Sequence, residues 1–221
     1  AAFKVLLHRY TSQQDLCVGS LIANRQYAET ENLIGLFFNT LALRSQVEGD
    51  DTFSAFLSQV RATCLEAYEH QDAPWEKVVD MLRPQRNLAS SPIFQVMVVL
   101  HNVETGKLDE RMHTYSLEQV SSQFDLSAAF IEKPEGAAGY LVYSTALFKP
   151  QTIARMAEHF TALCPAIVAN PTARLRELDF IGESEKQLLA GFNDTRADYP
   201  RDRRIHDFFA NQVAAGPDRR G

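Results

Sequence analysis

Apolar residues recur every three or four positions in five segments of the chain, the spacing that places side chains on one face of a helix. The predicted helices contain Phe3 to Leu7, Phe53 to Tyr68, Trp75 to Leu82, Ile153 to Ile167 and Ile205 to Val213. The third begins near Asp72 and Pro74 and is expected to bury Trp75, Val78, Val79 and Leu82. Pro165 lies inside the fourth and is expected to kink or shorten its last turns, because proline lacks a backbone donor.

Strand-like runs alternate irregularly with these helices. The predicted strands are residues 16–23, 40–47 and 93–101, and two more within 124–148 that a Pro-Glu-Gly turn joins. The run 93–101 is apolar on both faces, so it is expected to be a central strand covered from two sides. The alternation predicts an α/β or α+β domain with a mixed sheet over residues 1–178. A polar, turn-rich linker follows.

An Asn-Thr pair interrupts the apolar run 33–44, LIGLFFNTLALR. A core can bury Leu33, Ile34, Phe37 and Phe38. Asn39 and Thr40, however, must find hydrogen-bond partners there or face something wet and functional.

Charge and cysteine content exclude several classes of protein. The formal net charge of −6 over 221 residues disfavours nucleic acid and anionic membranes as partners, and the basic cluster at Arg201, Arg203 and Arg204 is best explained as a solvated linker. The three cysteines form no C-x-x-C pair, so no zinc site or disulfide scaffold is expected. No run is long enough to cross a bilayer and no signal peptide opens the sequence, which predicts a cytoplasmic protein.

Candidate chemistry is sparse. Motifs of hydrolases, kinases, dinucleotide-binding proteins and zinc proteases are absent. His70 could be a base beside Asp72 or a cap at the end of a long helix. Either Arg25 or Arg44, at strand ends, could hold a carboxylate in a partly buried pair or lie on the surface. The hydroxyls of residues 121–127, SSQFDLS, could line a polar channel or form a turn.

Three segments, taken in order, resemble the later half of the condensation domains of nonribosomal peptide synthetases. Residues 34–44 resemble the motif I-G-x-F-V-N-T-x-x-x-R, and residues 70–76 resemble H-Q-D-x-P-F-E. Phe38 stands where valine is usual, and Trp75 replaces phenylalanine. The region from Arg83 resembles R-D-x-S-R-N-P-L more loosely. The matching residues are Ile34, Gly35, Phe37, Asn39, Thr40, Arg44, His70, Gln71, Asp72, Pro74, Glu76, Arg86 and Asn87.

The resemblance implies a chloramphenicol-acetyltransferase-like fold in which two lobes face each other across a tunnel. Residues 1–178 would be the C-terminal lobe, 179–204 the linker, and 205–221 the start of an adenylation domain. Donor and acceptor carrier proteins would bring thioester-bearing phosphopantetheine arms into the tunnel, where the acceptor amine attacks the donor carbonyl. The missing N-terminal lobe and the adjacent adenylation domain are further implied partners. Tethering both reactants makes positioning a large part of catalysis.

The family carries its H-H-x-x-x-D-G motif in the first lobe, and this sequence has no adjacent His-His pair. No catalytic residue is therefore assigned here, no metal or directly bound cofactor is expected, and this chain alone is not expected to form peptide bonds. Asn39, Thr40, Ser122 and Gln123 are the predicted tunnel-lining residues. Alternatively, Asn39 caps the end of the preceding helix and Thr40 begins the strand.

Two other functions remain open at this point. Epimerisation, cyclisation and terminal condensation-like domains share the fold of this lobe. A noncatalytic module that docks carrier proteins is the second alternative.

Overall fold

Five strands form one mixed sheet in the first of two units of the chain. The computed structural model describes residues 1–82, 91–101, 122–133, 136–198 and 204–215, and it divides into the units Ala1–Ile181 and Gly182–Gly221. The strands are β1 (Asp15–Ile22), β2 (Asn39–Gln46), β3 (Val96–His101), β4 (Leu126–Lys133) and β5 (Gly136–Tyr143). Their order across the sheet is β2-β1-β3-β4-β5. The β1–β3 and β3–β4 pairs are parallel, and the two outer pairs are antiparallel.

Among the described residues, five α-helices and a short 3-10 helix (Leu175–Glu177) accompany this sheet, and two α-helices lie in the second unit. The helices of the first unit are α1 (Ala2–Thr11), α2 (Ala28–Glu31), α3 (Phe53–Glu69), α4 (Trp75–Leu82) and α5 (Pro150–Ala169). The second unit has α6 (Glu183–Asn193) and α7 (Ile205–Ala215). No helix in these described ranges is both long enough and apolar enough to cross a membrane.

The main core lies between one face of the sheet and the helices α1, α3 and α5. Leu41 and Leu43 of β2 point to this face, and both are buried. Phe56 and Leu163 come from α3 and α5 and are almost inaccessible to solvent. Because apolar burial is the main favourable term in folding, the one-sided pattern of each helix explains why it packs here.

A row of three aromatic rings, Trp75, Phe94 and Phe124, lies on the other face at Gly19. The ring of Phe94 lies directly on Gly19 of β1 and is 1% exposed. Its centroid is 5.2 Å from that of Trp75 and 5.5 Å from that of Phe124. The row thus links the start of α4 to the segment that leads into β4.

A lysine is buried in the main core. Lys4 of α1 is 4% exposed, and its Nζ donates to the backbone oxygen of Leu43 at 2.8 Å and to Oγ of Ser45 at 2.7 Å. Burial lowers the pKa of Lys4 to about 8, because desolvation disfavours the ammonium form.

This lysine makes stability depend on pH. Between about pH 8 and the ordinary lysine pKa of 10.5 the unfolded chain binds more protons than the folded one. The free energy of unfolding contributed by Lys4 is therefore expected to rise with pH in this window, by at most about 1.4 kcal/mol per pH unit. Urea unfolding of the wild type and of Lys4→Met at pH 7.5 and 9.5 measures this rise in the free energy of unfolding. The variant should lack this rise, and equal pH dependence in both would contradict the assignment.

Several sequence predictions need correction. Leu82 is 64% exposed, and Trp75, Val78 and Val79 are only half-buried, so α4 does not bury the four side chains that its spacing predicted. The end of β3 is exposed at Leu100, so that strand is not covered along its whole length. Pro165 does not shorten α5, which continues to Ala169. Leu33, Ile34 and Phe38 lie at the surface instead of in a core.

Candidate functional site

Asn39 joins the two motif segments at the start of β2. Its Nδ2 donates to the backbone oxygens of Gln71 at 2.6 Å and Ala73 at 2.8 Å. Its Oδ1 accepts from the backbone N–H groups of Thr40 at 2.9 Å and Trp75 at 3.3 Å. Both donors and two acceptor positions of the amide are therefore in use within the chain.

This geometry answers how an Asn-Thr pair fits into an apolar run. Asn39 is the first residue of β2, and α2 ends at Glu31, so Asn39 does not cap the preceding helix as one alternative held. It instead caps α4 through the N–H of Trp75, since the first N–H groups of a helix have no partner within it. Thr40 is half-buried beside it.

The turn between α3 and α4 contains the second motif. His70 is the C-cap residue of α3, which agrees with its interpretation as a cap, and its backbone oxygen accepts from Ala73. The side chain of Gln71 donates to the oxygen of Tyr68 at 2.9 Å. Asp72 accepts from the amide of Gln26 at 3.4 Å. Pro74 lies at the entrance to α4, where its missing N–H costs nothing.

Arg25 organises the loop that precedes Asn39. Its guanidinium donates to the backbone oxygens of Thr30 and Gly35, and its Cζ lies 4.2 Å from the centroid of the Phe37 ring. Asn24 has a positive φ of 49°, a conformation that asparagine tolerates, and this turns the chain out of β1. The role of Arg25 is thus tied to backbone and ring contacts that the sequence did not indicate.

Arg44 forms a surface ion pair. Its Nε and Nη2 donate to the two oxygens of Asp15 at 2.8 and 2.6 Å, and both side chains are well exposed. These hydrogen bonds lower the pKa of the Asp15 carboxyl. Of the two alternatives left open for Arg44, the surface position is the one observed: Arg44 pairs with a carboxylate, but the pair is exposed and its contribution to stability is small.

The remaining predicted residues lie in different places. Ser122 is half-buried and donates to the backbone oxygen of Phe124, whereas Gln123 is exposed. Phe124 ends the aromatic row, so this segment belongs to the same side of the sheet as Trp75. Arg86 and Asn87 lie outside the described residues.

Phe94 is the residue of this region that the sequence did not single out. Phe94 lies in the apolar run 93–101, and nothing in the sequence distinguishes it from its apolar neighbours. Gly19 is the signal that could have found it, because a glycine inside a strand often indicates close approach by another group. An added Cβ at Gly19 would lie 2.1 Å from the Phe94 ring.

A cavity of about 520 Å³ opens near the paired ends of β1 and β2, and residues that line it include Cys17, Ala42, Arg44 and Leu82. Asn39 and Thr40 lie outside its lining. A tunnel-lining role for Asn39, Thr40, Ser122 and Gln123 thus stays a prediction. In the part of the chain that the structure describes, no three His, Cys, Asp or Glu side chains are placed to hold a metal ion.

The family model of the condensation domain matches residues 1–190. The chain belongs to the condensation-domain family. Its mixed five-stranded sheet, flanked by helices, has the chloramphenicol-acetyltransferase-like fold that the motifs predicted.

Curated relatives of this chain are named as synthases of linear gramicidin and of gramicidin S. One of the linear gramicidin synthase proteins of Brevibacillus parabrevis is 43% identical over 224 residues, which include 99% of this chain and 4% of that protein. Gramicidin S synthase 2 of Brevibacillus brevis is 38% identical over 224 residues, 99% of this chain and 5% of its own length. The chain therefore spans only about a twentieth of the relatives that it matches.

Solved structures share the fold. A four-domain nonribosomal peptide synthetase bound to AMP and glycine matches 99% of this chain and 18% of its own, with a TM-score of 0.82 and 21% identity. The X-domain from teicoplanin biosynthesis matches 81% of this chain and 42% of its own, with a TM-score of 0.72 and 26% identity. The first condensation domain of the CDA synthetase matches 82% of this chain and 41% of its own, with a TM-score of 0.62 and 16% identity.

Proposed function

We propose that this chain is the C-terminal lobe of a condensation domain that forms peptide bonds between thioesters tethered to carrier proteins. The observation that carries the proposal is the junction at Asn39, where one amide bonds the motif of residues 34–44 to the motif of residues 70–76. Membership of the condensation-domain family supports it. The relatives at about 40% identity are named as peptide synthases.

The reaction is an acyl transfer. The acceptor amine attacks the carbonyl carbon of the donor thioester, a C–N bond forms, the C–S bond breaks, and the amine proton leaves as the donor arm departs as a thiol. This lobe supplies no nucleophile in that scheme. Its contribution is to hold one wall of the tunnel in place, since positioning two tethered reactants lowers the entropic part of the barrier.

Within this scheme the predicted site residues take different roles. Asn39 is a positioning residue, because its amide already bonds four backbone groups. Thr40, Ser122 and Gln123 are the candidates for contact with a phosphopantetheine arm or the intermediate. The catalytic histidine belongs to the N-terminal lobe, so the lobe described here is inactive by itself.

The proposed neighbouring domains, partners and cellular location follow from the same assignment. Residues 179–204 are the linker and residues 205–221 the beginning of an adenylation domain, while donor and acceptor carrier proteins deliver the substrates. The synthetase works in the cytoplasm, without nucleic acid or membrane as partner.

Condensation with loaded carrier proteins tests the proposal. A polypeptide that joins this chain to an N-terminal condensation lobe is mixed with donor and acceptor carriers bearing aminoacyl thioesters, and the dipeptidyl carrier is measured by mass spectrometry. We expect product with the joined lobes and none with this chain alone. Absence of product with the joined lobes, when both carriers are shown to be loaded, would defeat the assignment.

A noncatalytic module that docks carrier proteins is the second candidate, and it is supported by the X-domain from teicoplanin biosynthesis, which is 26% identical and has been solved in complex with another protein, OxyB. Such a module would bind carriers yet yield no product in the same assay. An epimerisation domain is a third possibility. It would change the configuration of the tethered residue without joining the two aminoacyl groups, so chiral analysis of the donor residue in the same assay distinguishes it.

A further inference from the structure

The outer edge of β5 is open at the end of the sheet. β5 pairs with β4 along its whole length, and in the part of the chain that the structure describes no strand pairs with its other side. The N–H and C=O groups of an exposed edge can hydrogen-bond to a further strand, and proteins usually block such pairing with charged residues or proline. Residues 136–143, GAAGYLVY, include neither. The β5 edge therefore lacks the usual protection against pairing with another strand.

An apolar groove of about 440 Å³ follows this edge, between β5 and α5. Residues 137–141 of β5 line it, and α5 contributes the small side chains of Ala154 and Ala157. The ring of Phe130 lies against Gly139, where an added Cβ would be 3.0 Å from a ring carbon. A strand added to the edge of β5 would direct every second side chain toward the helices. Because the residues on both walls are small, the groove has room for such side chains.

The two faces of β5 carry different side chains. Leu141 is paired with Ala128 of β4, which is fully buried in the main core, so Leu141 faces the helices. Side chains alternate along a strand, so Ala137 shares this face, whereas Ala138 and Tyr140 belong to the opposite one. Tyr140 is 50% exposed. A strand added beside β5 would therefore contact the groove on one face and Tyr140 on the other.

The size of the residues along β5 is complementary to the same strand reversed. Small residues precede Gly139 and larger ones follow it. In an antiparallel pair of two β5 strands centred on Gly139, each small residue of one copy faces a larger residue of the other. The facing pairs are Gly136 with Val142, Ala137 with Leu141, and Ala138 with Tyr140. At the centre the two copies of Gly139 face each other, where larger side chains would collide.

We infer that two copies of this chain associate through β5, whose strands pair antiparallel about a two-fold axis at Gly139 and join the two sheets into one. An axis perpendicular to the sheet keeps the helices of both copies on the same side. The second copy's Leu141 then enters the groove between β5 and α5, beside Ala137. This contact does not depend on the proposed function, because β5 lies at the opposite end of the sheet from β2 and Asn39.

A second copy is the partner that the residues of β5 specify. An unrelated strand would match the size pattern only by chance, whereas two copies match it by symmetry, as in the isologous contacts of most homodimers. Since residues 136–143 carry no charge, no like charges face each other across the pair. One strand pair buries less surface than the about 1,200 to 2,000 Å² of a typical stable interface, so association is expected to be reversible and to depend on concentration.

Paired charges on the exposed face of β5 test this contact. Association is measured by sedimentation equilibrium over a hundredfold range of concentration, for the 221-residue chain and for the complete protein that contains it. In the variant with Ala138→Lys and Tyr140→Lys, lysines face each other in both symmetric pairs. In the variant with Ala138→Glu and Tyr140→Lys, each pair joins opposite charges. We expect the dissociation constant of the like-charged variant to exceed that of the oppositely charged one by at least about tenfold.

Val168→Lys is the control, since Val168 of α5 is 80% exposed and lies outside the groove, and it should associate like the wild type. Hydrogen exchange locates the contact, because protection of the amides of residues 137–142 should rise with protein concentration. Circular dichroism verifies that each variant is folded. A monomeric wild type, equal dissociation constants for the two double variants, or protection of β5 that does not change with concentration would overturn the inference. A complete protein that forms the dipeptidyl product yet stays monomeric refutes this contact and leaves the proposed function intact.

Discussion

Gly19→Ala is expected to lower the free energy of unfolding of the first unit by about 3 kcal/mol. The added Cβ would lie 2.1 and 2.2 Å from two carbons of the Phe94 ring. That ring is 1% exposed and contacts the rings of Trp75 and Phe124, so moving it would disturb both contacts. Urea unfolding followed by circular dichroism measures the change.

The control and the rescue make this expectation specific. At Gly49 an added Cβ would have its nearest neighbour at 3.6 Å, an ordinary contact, so Gly49→Ala should change stability by less than about 0.5 kcal/mol. Phe94→Leu in the Gly19→Ala background should restore part of the loss, because a smaller side chain relieves the overlap. If the two substitutions are simply additive, the ring is not what requires a glycine at position 19.

Asn39→Ala is expected to lower the free energy of unfolding by about 2 to 3 kcal/mol. The substitution leaves the oxygens of Gln71 and Ala73 and the N–H of Trp75 without the partner they have in the folded chain. The start of α4 and the turn of the second motif should loosen together. Chemical denaturation measures the loss, and hydrogen exchange at residues 71–75 locates it.

A charged variant separates donor from acceptor at the same site. Asn39→Asp keeps an oxygen for the N–H groups of Thr40 and Trp75 but places another oxygen against the carbonyl groups of Gln71 and Ala73. Asn39→Asp should therefore also lower the free energy of unfolding. Asn32→Ala, at an exposed position, is the control and should be neutral. Reduced turnover of the complete domain at an unchanged melting temperature would instead make Asn39 a tunnel contact.

Much of the fold could be read from local pattern. The helices α3 and α5 and the strands β1 and β2 lie where apolar periodicity placed them, because each turns one apolar face to the same core. The errors concern burial. Leu82 and Ile34 are apolar yet exposed, and periodicity cannot distinguish an apolar face that packs within this unit from one left at its surface.

The candidate site was less accessible to sequence reasoning. The motif resemblance predicted the correct family. It also indicated Asn39 and the turn at residues 70–76 as candidate site residues. It did not indicate that the two motifs bond to each other, nor that Arg25 stacks on the ring of Phe37. Those contacts depend on side-chain direction, which residue type and spacing do not specify.

The amino-acid sequence by itself determined the order of helices and strands, the family, and the residue types available for chemistry, since these depend on neighbours within a few positions and on motif spacing. Only the tertiary structure decided what Asn39 and Phe94 do. Three of the four partners of Asn39 lie 32 to 36 positions away along the chain, and the ring of Phe94 packs on a glycine of β1. Such contacts arise when the sheet assembles, because strand order and register bring distant segments within hydrogen-bond and van der Waals distance.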